Sequence, residues 1–279
     1  MSLLTTQMPR HHAVAAHLFQ SNSMRIASWN VNSVKTRLDI IINWLKSDSC
    51  DVLLLQETKS QDENFPHEAF SSIGWHVAIH GQKSYNGVAI ASRHQIDDVL
   101  CGLPGDDTDE QARYIEASIQ NVRVASIYLP NGNPAPGPKF DYKLQWMDRL
   151  NHRAATLLAT EQAILLGGDF NVIPADMDCY DPLGWDGDAL TRLETRQAFH
   201  RLTHAGYFDA LRARHPHEVI YTYWDYQAGA WQRDNGVRID HLLLSPEAFD
   251  RLGEVGVDKA PRGLEKPSDH TPIWCDLIF

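Results

Sequence analysis

The sequence predicts an α/β domain with a four-layer sandwich, in which two mixed sheets pack face to face and helices cover their outer faces. The first observation is that strand-like and helical segments alternate along the chain in two similar halves. The second is that runs such as Asp51–Gln56 and Ala163–Gly168 are almost continuously apolar, which is typical of strands buried on both faces. So many buried strands would not fit comfortably in one open sheet, so two packed sheets are the economical arrangement.

The first half begins with a strand, a turn and a helix. Arg25–Asn30 predicts the strand, and apolar side chains at helical spacing over residues 34–45 predict the helix, with Ser33 as its N-cap. Asp51–Gln56 then predicts a buried strand that stops abruptly at Glu57. A carboxylate directly after a buried strand is expected to face a cleft.

The remaining elements follow from the same patterns of apolar spacing and turn residues. The two strands on either side of Gln120 and Asn121 are expected to form a hairpin. Helices are predicted over Phe140–Ala159 and Ala189–His204. The further predicted strands are Trp75–His80, Gly87–Ser92, Tyr114–Ile119, Val122–Leu129, Ala163–Gly168, Tyr221–Tyr226, Val237–Leu244 and Ile273–Phe279.

The charge of the chain bears on its partners. The 279 residues carry 36 acidic and 25 basic side chains, a net charge of −11 at pH 7. This balance argues against DNA binding, because sequence-independent DNA affinity comes from Lys and Arg neutralising phosphates. Summed charge concerns solubility and steering, however, and a local basic face can coexist with an acidic remainder. Five arginines are the expected source of such a face: Arg192, Arg196, Arg201, Arg212 and Arg214.

The four cysteines, Cys50, Cys101, Cys179 and Cys275, lie far apart and without CxxC spacing. This pattern argues against a zinc site or a disulfide scaffold and predicts reduced core thiols in a cytoplasmic protein. Apolar runs are also too short to cross a bilayer, so we expect no membrane association.

The domain is expected to comprise residues 24–279. Residues 1–23 contain no Asp or Glu, and Arg10 is their only arginine. This composition is a poor match to an organellar transit peptide, and no signal-peptide apolar segment is present. We therefore expect a disordered extension or an early start codon. Gly and Pro are scattered rather than gathered into a linker, so a single domain is preferred to two.

Polar residues follow or interrupt the apolar runs at several points. Any one of them could serve only to form a turn, because Asn and Asp often bond their own backbone there. Their joint occurrence favours a site, and hard oxygen ligands such as Glu57 and Asp269 suit Mg²⁺ or Mn²⁺ rather than zinc. The set comprises Asn30, Glu57, Asp169, Asn171, Asp240, Asp269 and His270.

Asp240 lies inside an apolar strand, where an unpaired carboxylate would be costly. His270 is the expected partner, because a carboxylate bonded to one imidazole nitrogen fixes the tautomer and raises the basicity of the other. A buried structural His–Asp pair is the alternative. His241 is expected to point away from Asp240 and to serve in packing.

Seven motifs in order make the sequence from Met24 to Phe279 resemble the exonuclease III branch of the endonuclease/exonuclease/phosphatase superfamily. Each motif alone is weak, but together and in this order they are specific. They are SWNVNSV, LLLQETK, NGVAI, YLPNGN, GGDFN, RIDHLLLS and SDHTP. The resemblance implies a fold of the deoxyribonuclease I type, in agreement with the four-layer arrangement.

The resemblance also implies a Mg²⁺-dependent repair nuclease that cleaves the DNA backbone at abasic sites and trims or unblocks 3′ ends. In the family's pattern, Glu57 with Asn30 nearby holds the Mg²⁺, for which Mn²⁺ can substitute. Asp169 handles the proton of the attacking water or of the leaving oxygen, and Asn171 stabilises the transition state. Such a set suffices for hydrolysis without a covalent intermediate.

The resemblance also implies roles for four further residues around the same phosphate. His270, oriented by Asp240, contacts the scissile phosphate, and Tyr128 supplies a hydroxyl there. Asp269 joins the metal and hydrogen-bond network. Members of the family bind one or two metals, so Asp169, Asn171 and His270 are also expected as ligands. Whether Asp169 or His270 activates water stays open.

The expected partner is double-stranded DNA with abasic sites or 3′ ends, bound by a monomer. Tyr223 matches the position of the family's aromatic wedge, where Trp or Phe is more familiar, and Trp224 and Trp231 are further candidates. A Trp near a strand more often belongs to the core. Asn131 lies in the loop where vertebrate relatives carry an arginine, which leaves the balance of endonuclease and exonuclease activity open.

Two other functions compete with this interpretation. The first is a sister phosphoesterase with the same catalytic residues, such as an inositol-phosphate phosphatase or a sphingomyelinase, although the YLPNGN, RIDHLLLS and SDHTP variants favour DNA. The second is a binding module that has lost its chemistry. That alternative predicts missing ligands, whereas every expected polar position is filled.

Overall fold

The structure, a computed structural model, describes residues 23–279. The predicted extension at residues 1–23 lies outside the described residues except for Ser23, which begins the first strand. Six α-helices are present in the described part: α1 (Leu38–Lys46), α2 (His67–Ser71), α3 (Pro138–Leu158), α4 (Leu193–Ala205), α5 (Ala210–Arg214) and α6 (Pro246–Phe249). Among residues 23–279, no helix is both long and apolar enough to cross a membrane.

The described strands form two six-stranded mixed sheets. The first has the order β11-β12-β1-β2-β4-β3, and the second has the order β5-β6-β7-β8-β10-β9. The strands are β1 (Ser23–Asn30), β2 (Val52–Gln56), β3 (His76–His80), β4 (Val88–Ser92), β5 (Asp97–Cys101), β6 (Tyr114–Ile119), β7 (Val122–Tyr128), β8 (Ala163–Asp169), β9 (Phe208–Asp209), β10 (Asp240–Leu244), β11 (Leu252–Val257) and β12 (Ile273–Ile278).

The two sheets repeat one plan. Each has a single parallel pair at its centre, β1 with β2 and β7 with β8, and all its other pairings are antiparallel. The parallel pairs are connected through α1 and α3, as parallel strands require a crossover. This repetition confirms the expectation of two similar halves.

Side-chain alternation along the buried strands assembles the four layers. In β2, Val52 and Leu54 belong to the core between the sheets, whereas Leu53 and Leu55 pack against α1 and α2. The outer face of the second sheet packs in the same way against α3 and α4. Because both faces of β2 are covered, its apolar run shows no alternation with polar residues. The predicted fold class is confirmed.

Three predictions about elements were wrong. Ser33 does not cap α1, which begins at Leu38; its hydroxyl instead accepts a hydrogen bond from Thr36 N–H in the preceding turn. Helix α4 begins at Leu193 rather than Ala189, because residues 189–192 form turns. The strand β10 begins at Asp240 rather than Val237.

The segment Tyr221–Tyr226 was predicted to be a strand and is not one. Its aromatic side chains favour strand formation, but Tyr223 makes only isolated bridges, to Val237 on one side and His270 on the other. The segment thus pairs with the residues that precede β10 and β12 instead of extending either sheet. Apolar patterning also missed β5, whose residues are mostly exposed, and β11.

Candidate active site

The ends of the two central parallel pairs place polar side chains together. Asn30 ends β1, and Glu57 follows β2 directly; in the second sheet, Tyr128 ends β7 and Asp169 ends β8. Parallel strands deliver their carboxyl ends to one edge, and the face-to-face packing brings both edges to the same end of the sandwich. Asp240 pairs with Asp169 across the ladder between β10 and β8.

Glu57 is held by a donor on each side. The amide nitrogen of Asn30 donates to Oε1 at 2.8 Å, and Lys59 Nζ lies 2.9 Å from Oε2. Burial alone would raise the pKa of Glu57, but the hydrogen bond from Asn30 and the charge of Lys59 outweigh burial and lower it. Glu57 is therefore an ionised carboxylate at neutral pH.

Asp169 is buried at the centre of the site. Its Oδ1 accepts the backbone N–H of Asn171 at 2.9 Å, and its Oδ2 accepts the amide of Asn30 at 3.0 Å. Burial raises the pKa of Asp169, which makes it able to exchange a proton near neutral pH. Gly168 allows this placement, because a Cβ there would lie 1.9 Å from the carbonyl oxygen of Ile127 on β7.

His270 faces Asp169 and is oriented by Asp240. Its Nδ1 lies 2.9 Å from Asp240 Oδ2, whereas its Nε2 points to Asp169 Oδ2 at 3.7 Å. Burial would lower the pKa of His270, but the charges of Asp240 and Asp169 outweigh burial and raise it. The imidazole thus holds a proton on Nε2, which it can donate into the pocket. This geometry agrees with the predicted His–Asp pair.

Glu57, Asp169 and His270 are the described residues that could hold a metal together, with ligand atoms within 4.8 Å of one another. Two carboxylates whose oxygen atoms lie this close together suit a hard divalent cation. The donor set of Glu57, Asp169 and His270 therefore fits such a metal. Ligation by His270, whose imidazole nitrogen would have to be unprotonated, stays a prediction.

Three other predicted ligands are placed differently. The Asn30 oxygen accepts the backbone N–H of Asn32, so its amide group organises the carboxylates. Asp269 lies at the pocket, where its Oδ1 accepts the amide of Asn32 at 3.1 Å. The Asn171 oxygen accepts the amide of Asn131 at 3.0 Å. Direct ligation by these three residues stays a prediction.

Polar and apolar side chains line a pocket of about 250 Å³. Its polar lining includes Glu57, Tyr128, Asn131, Asp169, Asn171, Asp269 and His270. Burial and the charges of Glu57 and Asp169 raise the pKa of Tyr128, which keeps its hydroxyl neutral and able to donate. Its apolar and aromatic lining consists of Trp185, Leu190, Tyr223 and Ile239.

Of the predicted aromatic DNA contacts, the structure brings only Tyr223 to the pocket, where its ring packs edge-on against His270 with centroids 4.9 Å apart. Trp224 is fully buried and bonded through Nε1 to Asp234, so its assignment to DNA was wrong. Trp231 packs against Trp224 away from the pocket lining. Trp224 thus has the core role that burial statistics favour, whereas Trp231 is partly exposed and its contact with DNA stays a prediction.

The predicted basic stretch does not form a face, because its arginines are engaged one by one. Arg196 pairs with Asp176 at 2.9 Å, Arg212 pairs with Asp178, and Arg214 donates to a backbone carbonyl. The other two approach Glu194 and Asp148. None of the five lines the pocket, so the expectation of a basic face from this stretch was wrong.

The cysteines are free among the described residues, as expected. Cys50, Cys179 and Cys275 are buried. Cys101 is exposed, which corrects its assignment to the core, because it lies on the exposed strand β5.

Behind the pair formed by Asp240 and His270, Arg238 and His241 form a buried charge network. Arg238 bonds Asp178 and Asp209, and its guanidinium also lies 2.9 Å from His241 Nδ1. The other nitrogen of His241 faces the carbonyl of Val172 at 3.0 Å. His241 is thus a packing residue that ties β10 to the turn after Asp169, in agreement with the sequence prediction.

This network predicts an acid-sensitive contribution to stability. Burial and the charge of Arg238 lower the pKa of His241 from 6.5 to about 4. Between pH 6.5 and pH 4 the His241 imidazole binds a proton in the unfolded chain but not in the folded protein. The free energy of unfolding therefore falls as pH drops through this range, by about 3 kcal/mol in all. We expect His241→Gln to flatten this fall, as measured by urea unfolding at pH 7 and pH 4.5. Equal pH dependence in both proteins would contradict this prediction.

Sequence reasoning missed several residues in and beside the pocket. Lys59 pairs with Glu57 and Asn32 bonds Asp269; their positions in the motifs LLLQETK and SWNVNSV were the available signal. Trp185 and Asp188 come from the loop between β8 and α4, which carries no recognisable pattern. Lys143 lies behind the pocket inside α3, where a lysine is ordinarily expected on the solvent face.

A family model described as the endonuclease/exonuclease/phosphatase family matches residues 27–270. Exodeoxyribonuclease III of Haemophilus influenzae is 31% identical over 266 residues, which cover 91% of this chain and 100% of the relative.

Two solved structures are similar throughout their length. An AP endonuclease from Archaeoglobus fulgidus superposes with a TM-score of 0.87 at 39% identity, covering 90% of this chain and 98% of that one. A 3′ phosphatase from Neisseria bound to a product DNA hairpin superposes with a TM-score of 0.89 at 42% identity, covering 92% of this chain and 100% of that one.

Proposed function

Because the chain belongs to the endonuclease/exonuclease/phosphatase family, we propose that it is a Mg²⁺-dependent DNA-repair nuclease that cleaves at abasic sites and trims or unblocks 3′ ends. Its relatives of the exonuclease III and AP endonuclease type support a nuclease that acts on DNA. We propose that it acts as a monomer, because every residue of the proposed site comes from one chain.

The observation that carries this proposal is the cluster of Glu57, Asp169 and His270 in one pocket. Glu57 would hold the cation beside Asp169, and Asn30 keeps both carboxylates in place through its two amide hydrogens. A bound Mg²⁺, or Mn²⁺ in its place, would supply positive charge to the non-bridging oxygens of the phosphate.

The remaining donors act on the same phosphate. His270 donates from Nε2, held in this orientation by the bond between Nδ1 and Asp240. Tyr128 donates from a hydroxyl whose raised pKa keeps it protonated. Donors that are fixed before the reaction stabilise charge as it develops without a reorganisation cost.

We assign the proton transfer from the attacking water to Asp169. His270 already holds a proton because of two neighbouring carboxylates, which makes it a donor to the phosphate rather than a base. Burial raises the pKa of Asp169 towards the range of a useful general base. Nearby Asn171 is anchored by Asn131 at 3.0 Å and can stabilise the pentacoordinate transition state.

The apolar wall of the pocket supports a preference for abasic sites. A sugar that lacks its base exposes apolar surface and leaves a gap in the stack, and an aromatic face can pack there. Tyr223 offers such a ring in the pocket lining, next to His270. Specificity then comes from the gap, while phosphate contacts supply affinity that depends on salt.

We expect Tyr223→Ala to reduce cleavage at an abasic site more than removal of nucleotides from a recessed 3′ end, because only the abasic substrate needs the aromatic wall. The loss of the ring should cost the abasic substrate about 1–3 kcal/mol, a factor of roughly 5 to 150. The measurement is the ratio of the two rates for each protein.

The matched control is Tyr223→Phe, which retains the ring that packs on His270. This variant should preserve the wild-type ratio. Equal losses on both substrates in the alanine variant would mean that Tyr223 only supports His270.

The experiment that tests the function compares labelled duplexes that carry one abasic analogue, a recessed 3′ end or a 3′-phosphate, each incubated with the protein and Mg²⁺. An undamaged closed duplex and a phosphoinositide serve as controls. We expect products from the three DNA substrates and none from the controls. Release of phosphate from the phosphoinositide alone would favour a sister phosphoesterase.

A further inference from the structure

Lys143 is a lysine without access to solvent. It lies in α3 with its side chain fully buried. An ammonium group is rarely buried, because the loss of its hydration must be offset by hydrogen bonds and charges in the protein. A methionine of similar shape would fill the same space without this cost, so the contacts of the ammonium group require an explanation.

The ammonium group joins the two loops that carry the asparagines of the pocket. Nζ donates to the carbonyl oxygen of Asn171 at 2.6 Å and to that of Asn131 at 3.0 Å. The side chains of these asparagines bond each other, with Asn131 Nδ2 donating to Asn171 Oδ1 at 3.0 Å. The three residues therefore form one closed unit behind the phosphate-facing wall.

The loop containing Asn131 is shaped around this lysine. Gly132 has φ = +91°, and a Cβ added to it would lie 2.6 Å from Lys143 Cδ. Only glycine permits the backbone to approach the lysine stem this closely in this conformation. Burial lowers the pKa of Lys143 to about 7, while the charges of Asp169 and Asp188 oppose this shift and favour the ammonium form.

We propose that Lys143 is a positioning residue for the reaction: its buried ammonium group holds Asn131 and Asn171 at the spacing needed to receive the phosphate in its transition state. Lys143 does not line the pocket and acts only through these two residues. The inference rests on the proposed function, because it assigns a role within that site.

The expected consequence is a loss of turnover rather than of substrate affinity. Phosphate contacts over the whole duplex supply most of the binding, and these do not depend on Lys143. A displacement of about 1 Å at the reacting centre, by contrast, can cost on the order of 10²-fold in rate. A lysine that merely stabilised the fold would leave the turnover of the folded protein unchanged.

The test measures kcat and KM for incision of an abasic duplex at saturating Mg²⁺ by Lys143→Met, which keeps volume but removes the donors. The matched control is Leu157→Ala, a core truncation at the far end of the same helix that destabilises without touching the asparagines. A second control, Lys46→Met, makes the same chemical change on the surface. Thermal unfolding midpoints are recorded for all proteins.

We expect kcat to fall about 100-fold in Lys143→Met with a much smaller change in KM, while both controls keep the wild-type kcat. Wild-type kcat in folded Lys143→Met, or an equal fall in Leu157→Ala, would overturn the proposal. If Lys143→Met does not fold, Lys143→Gln takes its place, and failure of both to fold would assign a structural role. An inactive wild-type protein would refute the proposed function instead.

Discussion

Asp169→Asn should nearly abolish cleavage while DNA binding persists. The substitution keeps the size of the side chain and the hydrogen bond from the backbone of Asn171, but it removes the group that exchanges the proton and one of two carboxylates suited to the metal. General acid–base catalysis contributes about 10²- to 10⁴-fold, so a rate loss in that range or larger is expected. Single-turnover incision and a gel-shift assay with abasic DNA would measure the two effects separately.

The control for this change is Asp186→Asn, at an exposed carboxylate in the neighbouring loop. It alters the net charge by the same amount and should retain wild-type turnover. Normal turnover in folded Asp169→Asn would return Asp169 to a turn-forming role.

Glu57→Gln should weaken metal binding and lower the rate together. Glu57 is ionised at neutral pH because Asn30 and Lys59 stabilise its charge, and glutamine offers a neutral oxygen in its place. Loss of about 4 kcal/mol of charge stabilisation corresponds to roughly three orders of magnitude in rate. Calorimetric titration with Mn²⁺ would report the affinity independently of activity.

The exposed Glu63 supplies the matched control, Glu63→Gln, which should bind the metal as the wild type does. An undiminished Mn²⁺ affinity in Glu57→Gln would remove this residue from the metal site. A weaker affinity that higher Mg²⁺ concentrations compensate in the rate would strengthen the assignment.

The sequence was informative wherever a polar residue interrupted an apolar pattern. Asn30, Glu57 and Asp169 each end or follow a buried strand, and the end of the sandwich where both sheets present their strand ends is the place where such residues can meet. Asp240 inside a buried strand required a partner, and His270 is that partner at 2.9 Å. These predictions succeeded because an isolated buried polar group is costly.

The sequence was uninformative where tertiary contacts decide. The residues of Tyr221–Tyr226 suit a strand, but Tyr223 forms only isolated bridges, to Val237 and to His270, which lie outside the strands of both sheets. The arginines after Trp185 look like a basic face, yet nearby carboxylates neutralise them. Lys143 gave no signal, because its helical position does not reveal that loops cover it.

We propose metal-dependent hydrolysis of DNA at the pocket of Glu57, Asp169 and His270. The most direct test of this proposal is incision of a labelled duplex with one abasic analogue by protein stripped of metal with EDTA, followed by addition of Mg²⁺. We expect no incision before addition and a single nick at the abasic position afterwards, with Asp169→Asn inactive throughout. Incision that persists in EDTA, or that Asp169→Asn performs at the wild-type rate, would contradict it.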